Sequence, residues 1–176
     1  NLSDYSEDGA TGSVADYFRD ASDGLLSMES VISGPFTLAH NMSYYGRNFS
    51  SGSIDANPFE MFREALDYAG KQINLKDYDC NGDGFIDNIH IIYSGYGEEA
   101  GASSNAIWAH EATFEPMEVM PGLKVDRYSC SPELRGNSGS SITTIGPPCH
   151  EICHALGAMD YYDTDYESGG AYSGTG

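Results

Sequence analysis

Residues 150 to 160 read HEICHALGAMD, and this run constrains the fold more than any other part of the chain. His150 and His154 are four apart, so on a helix they share one face. Two imidazoles on one face can hold a single zinc ion from one side. Glu151 is turned about 100° from His150, close enough to take a proton from a water on the metal without being a ligand. Pro147 and Pro148 precede the run and are tolerated only in a helix's first turn. Gly157 follows His154 by three, where a helix can end in a left-handed turn. The chain can then fold back and present Asp160 as a third ligand, with Asp163 and Asp165 further along the same loop as the alternatives. The expected helix covers about 147 to 156, with Ile152, Ala155 and Leu156 as its anchors on a sheet.

A second pattern stands at residues 79 to 87, DCNGDGFID. Asp79, Asn81 and Asp83 alternate, Gly84 permits a sharp turn, Phe85 offers a carbonyl and Asp87 closes the run. Hard oxygens so spaced match the first nine positions of an EF-hand-type calcium loop. A strand follows rather than a helix, so calcium here would be a structural staple in a loop. Asp77 is a further candidate ligand.

Both sites need a frame. Ser13 caps an expected helix that Gly24 ends, with Val14, Phe18 and Ala21 on one face. Asn57 and Pro58 open the clearest helix, with Glu60 placed for a capping box and Phe59, Phe62, Leu66, Ala69 and Ile73 recurring at helical spacing. Residues 25–39, 86–93, 107–114 and 123–130 read as strands. The expected fold class is therefore α/β (α+β): a mixed sheet with a backing helix and an active-site helix. His110 and Trp108, in IWAH, are candidate cleft residues on an exposed strand edge.

Charge removes several function classes. Lys plus Arg is 8 against 27 Asp plus Glu, a formal charge of -19. Such a chain is repelled by phosphate backbones and anionic membranes, so no nucleic-acid partner is expected. No apolar run reaches the roughly 20 residues of a membrane helix. Of the four cysteines, Cys149 and Cys153 read as small packed thiols, and the pairing of Cys80 or Cys130 stays open. A structural Cys/His zinc site is disfavoured because Cys149 and Cys153 lie on a different helix face from the histidines.

Taken together, GATGSVADYF, GPFTLAHNMSYYG, DYDCNGDGFIDNIHIIYSGYGEE, IWAH, RYSCSPEL and IGPPCHEICHALGAMDYYDTDY resemble the immune-inhibitor-A-like family of secreted bacterial metallopeptidases, in the zincin clan. The resemblance implies a secreted or cell-surface zinc endopeptidase acting on proteins or peptides. It implies His150, His154 and Asp160 as zinc ligands, Glu151 as general base, and the IWAH strand beside the cleft. It also implies a core strand before residue 1 and a Met-containing turn after residue 176. On that basis residues 1–176 are one zincin-like catalytic domain cut at both ends. The alternative function is a non-catalytic, calcium-stabilised surface binding module that kept the peptidase fold.

Overall fold

The computed structural model describes residues 12–49 and 55–160. The first element is helix α1, Val14–Ala21. Ser13 caps it, accepting the Asp16 N–H, while the Asp16 carboxylate accepts the Ser13 N–H at 2.8 Å, a reciprocal capping box. Val14 and Phe18 are buried one helical turn apart.

Residues 25–38 form no strand, contrary to the sequence expectation. Leu25, Val31 and Ile32 are exposed, so the apolar residues that suggested a strand bury little there. Strand preference is largely a preference for packing against paired neighbours, and none of the described strands pairs with this segment. A short helix follows that the sequence pattern did not announce, α2, Met42–Gly46.

Helix α3 spans Pro58–Ala69 and starts where Asn57 and Pro58 predict. Its cap differs from expectation. Asn57 Nδ2 donates to the Tyr44 carbonyl at 2.7 Å, and Glu60 accepts the Tyr44 hydroxyl at 2.9 Å. Both side chains are thus drawn off to fasten α2 on α3.

Three strands make one mixed sheet: β1, His90–Tyr96; β2, His110–Met120; and β3, Leu123–Leu134. The order is β1-β3-β2, with β1 parallel and β2 antiparallel to central β3. β2 runs past Phe114 through Pro116, which an edge strand tolerates, and the register shifts between Thr113 and Met117. Three residues of β2 there stand against the single Asp126 of β3, so β2 is bulged, and opposite it Val125 and Tyr128 join the same core although three apart.

One face of the sheet buries Tyr45, Met61, Phe62, Leu66, Tyr93, Ile107, Tyr128 and Cys130. Phe62 stacks on Tyr128 with ring centroids 4.6 Å apart, and Phe114 packs 5.4 Å from Phe62. A second cluster joins Val14 and Phe18 of α1 to Cys149 and Ile152 of the last helix, α4, Gly146–Ala155. α4 lies against β3 and β2, with α1 behind it. All four cysteines are free thiols, and Cys149 and Cys130 are buried. No helix among the described residues is long and apolar enough to cross a membrane.

Candidate metal centre

α4 carries Pro147 and Pro148 in its first turn, where proline costs no hydrogen bond. It ends at Gly157, whose φ of 94° is the left-handed conformation that glycine adopts without steric cost. The Gly157 N–H donates to the His154 carbonyl at 2.8 Å and the Ala158 N–H to the Cys153 carbonyl at 2.9 Å. These two bonds form a Schellman motif. The motif reverses the chain so that two consequences follow. The Ala158 carbonyl accepts His154 Nδ1–H at 2.9 Å, and Asp160 returns over the histidine face.

The His154 bond sets the tautomer. With its proton on Nδ1, Nε2 carries the lone pair. That Nε2 lies 3.1 Å from His150 Nε2, and Asp160 Oδ1 lies 3.2 Å from each. Asp160 Oδ1 is buried and has no hydrogen-bond donor. Three ligand atoms therefore form a nearly equilateral triangle. In a tetrahedral zinc site with bonds of about 2.0 Å, neighbouring ligands stand about 3.3 Å apart. The donor set, its spacing and the orphaned oxygen all fit zinc. The three side chains remain 28%, 19% and 29% exposed. Among the described residues this is the one group of three His, Cys, Asp or Glu side chains close enough to share an ion.

Electrostatics around the triangle are uneven. Burial, then the neighbouring His154, hold His150 below its ordinary value. For His154, burial works the same way, but the Ala158 carbonyl and the Asp160, Glu151 and Glu111 carboxylates outweigh it and hold the ring above its ordinary value. Glu151 is 6% exposed, and burial pushes its carboxyl up to about 7.

Two neighbours were not singled out from the sequence. Arg127 Nη1 donates to the Ala155 carbonyl at 2.9 Å, tying the end of α4 to β3. Glu111 lies within charge range of Arg127 and His154, and burial raises its carboxyl. With only 8 basic residues in the chain, an arginine inside an apolar strand was the available signal.

The IWAH residues sit elsewhere. His110 Nδ1 pairs with the Trp108 carbonyl at 2.7 Å and Nε2 with the Tyr128 hydroxyl at 2.8 Å. Tyr128 stacks on α3, so His110 faces that side of the sheet, and its strand neighbour Glu111 faces α4. Trp108 and His110 line a separate cavity of about 530 Å³ with Asp55, Phe59 and Phe114. A larger, mostly apolar cavity of about 720 Å³ lies between residues 31–45, α3 and β1 and contains none of the triangle.

The 79–87 loop is folded by its own carboxylates. Asp79 accepts the N–H groups of Asp83 and Gly84, each at 3.0 Å. Asp83 accepts the Phe85 N–H at 2.8 Å, and Asp87 accepts the Cys80 N–H at 3.0 Å. Asn81 Nδ2 donates to Asp83 at 2.9 Å, and Asp77 accepts from Asn74 at 2.7 Å. The loop is pinned to β3 where Ile86 N–H meets the Lys124 carbonyl at 3.0 Å. Regular strand begins only at His90, later than the predicted 86.

The sequence profile described as immune inhibitor A peptidase M6, catalytic domain, matches residues 3–175. The pre-pro-metalloprotease PrtV of two Vibrio cholerae serotype O1 strains is 31% identical over 198 residues, covering 94% of this chain and 21% of its own length. Immune inhibitor A of Bacillus thuringiensis subsp. alesti is 29% identical over 181 residues, covering 88% of this chain and 26% of its own. The chain thus spans about a fifth to a quarter of the length of these curated relatives.

Proposed function

The chain belongs to the immune inhibitor A peptidase M6 family, and from that membership we propose that it is the catalytic part of a secreted bacterial zinc endopeptidase. The observation that carries this reading is the convergence of His150 Nε2, His154 Nε2 and Asp160 Oδ1 on one point. These three residues would hold zinc, with the Ala158 carbonyl fixing the His154 ring and Arg127 fixing the end of its helix. Zinc bound there supplies a Lewis acid that polarises a peptide carbonyl and acidifies water.

Glu151 is the general base. It follows His150 on α4 and is buried, and that burial pushes its carboxyl up to about 7. In the reaction it takes a proton from the attacking water and returns it to the leaving amine. Substrates are proteins or peptides, consistent with relatives named as a metalloprotease and a peptidase family. We assign structural calcium to the 79–87 loop through Asp79, Asn81, Asp83, the Phe85 carbonyl and Asp87, on the alternation of its oxygens.

The test is casein hydrolysis by zinc-loaded protein and its Glu151→Gln variant, with zinc content measured in parallel. The variant should keep zinc and lose about 10² to 10⁴-fold in rate. Equal rates at equal zinc content would remove Glu151 from the mechanism.

A further inference from the structure

Away from the histidine triangle, four more buried oxygens among the described residues lack any hydrogen-bond partner; Asn88 Oδ1 stands by itself, and the other three, Asn48 Oδ1, Asp55 Oδ1 and Glu98 Oε2, belong to residues that meet in one place. Buried polar atoms are nearly always paired, so a cluster of three calls for a cause. Their backbones and free ends are fixed by one segment, residues 104–109. The Asn48 N–H donates to the Ser104 carbonyl and the Glu98 N–H to the Ile107 carbonyl, both at 3.1 Å. Asp55 Oδ2 accepts the Trp108 N–H at 3.1 Å, and Glu99 accepts the Ala109 N–H at 3.0 Å. Asn48 also pairs with Asp55 across an antiparallel bridge, and its Nδ2 donates to Glu98 Oε1 at 2.8 Å.

Each side chain is therefore held by one polar atom while its other, an oxygen, is left unsatisfied. The backbone is equally set. A Cβ at Gly46 would stand 2.5 Å from the Ala106 carbonyl carbon, so the two strands of chain touch there. Asp55 is 8% exposed, and the charges that act on it, from Glu98 and Glu99, are both negative. Burial first, and then those two carboxylates, push its carboxyl up to about 7. A single proton on Asp55 would serve its own oxygen and one acceptor, leaving the third atom unpaired. One cation serves all three and offsets the crowded negative charge.

We propose that Asn48, Asp55 and Glu98 bind a divalent cation of the calcium class through Oδ1, Oδ1 and Oε2, with Glu99 adding charge beside it. An all-oxygen donor set of carboxylates and an amide selects a hard cation over zinc. The ion would lash residues 46–49, Asp55 and the turn at 98–101 to the segment that presents Trp108.

Trp108 is the only tryptophan, and its N–H is bonded to Asp55, which gives this site its own reporter. Terbium, a calcium substitute, is titrated into the zinc-loaded full chain with excitation at the red edge, where tryptophan alone absorbs. The proposal predicts saturable terbium emission that calcium displaces and magnesium displaces poorly. Binding should weaken on the order of tenfold or more in Asp55→Asn and in Glu98→Gln, since each removes a charged ligand. It should persist in Asp83→Ala, which disables only the 79–87 loop. Far-ultraviolet circular dichroism checks that each variant is folded, and both carboxylate changes preserve side-chain shape. Absence of saturable emission, emission unchanged in both folded carboxylate variants, or emission lost in Asp83→Ala alone would overturn the proposal.

Discussion

His90 should make the protein lose stability on acidification in a way that one substitution removes. Its ring lies between two serines that are fully buried, with Nδ1 2.8 Å from Ser129 Oγ and Nε2 2.8 Å from Ser131 Oγ. Burial pulls its pKa from 6.5 down to about 4. The folded protein thus keeps the imidazole neutral over a pH range in which the unfolded chain takes up a proton. Its contribution to stability is complete above the unfolded value and is lost as pH falls toward the folded one. At about 1.36 kcal/mol per unit, the full shift corresponds to about 3 kcal/mol, most of which is lost by about pH 4.5. His90→Gln keeps a donor and an acceptor for the two serines but does not titrate. Urea unfolding of both proteins at about pH 7 and about pH 4.5 measures the difference, and the other titrating groups cancel between them. Wild type should lose on the order of 2 to 3 kcal/mol more than the variant over that interval. Parallel losses would show that the imidazole is not held neutral, and the reasoning from burial would fail.

Two further outcomes concern packing and the acidic loop. Phe62→Ala removes the ring stacked on Tyr128 and should cost about 3 to 5 kcal/mol in urea unfolding; a cost under about 1 kcal/mol would mean that the aromatic cluster is not the core of the α3 face. Calcium at 100 times its dissociation constant should stabilise the chain by about 2.7 kcal/mol. Asp83→Ala should reduce that gain, and a melting curve indifferent to both calcium and the substitution would reject the loop as a calcium site.

What could be read from the sequence was local. The Gly157 turn and the proline pair bound α4 on both sides, and the residues that do so act through their own backbone, without help from distant partners. Ser13 likewise caps α1 with a neighbour three residues on. Where distant partners decide, the sequence reading departed from the structure. Asn57 and Glu60 have the right spacing for a capping box, yet both bind Tyr44 of a helix that sequence periodicity did not reveal. Residues 25–38 have strand-like composition, but a strand needs a paired neighbour and none of the described strands pairs with them. His110 and Glu111 are adjacent, and only the register with β3 decides which of them faces α4. The orphaned oxygens of Asn48, Asp55 and Glu98 come from three separate stretches and have no spacing signature at all.

The most direct measurement is the zinc dissociation constant, by competition with a chromophoric chelator, for wild type, Asp160→Ala and Asp163→Ala. Asp160 places its Oδ1 3.2 Å from both histidine Nε2 atoms, while Asp163 lies outside the described residues. Wild type should bind one zinc per chain. Even partners that only support a ligand change metal affinity by about 10 to 100-fold, so losing Asp160 should weaken zinc by more than about 100-fold. Asp163→Ala should stay close to wild type. Zinc affinity unchanged in Asp160→Ala, or lost instead in Asp163→Ala, would contradict the His150, His154 and Asp160 centre.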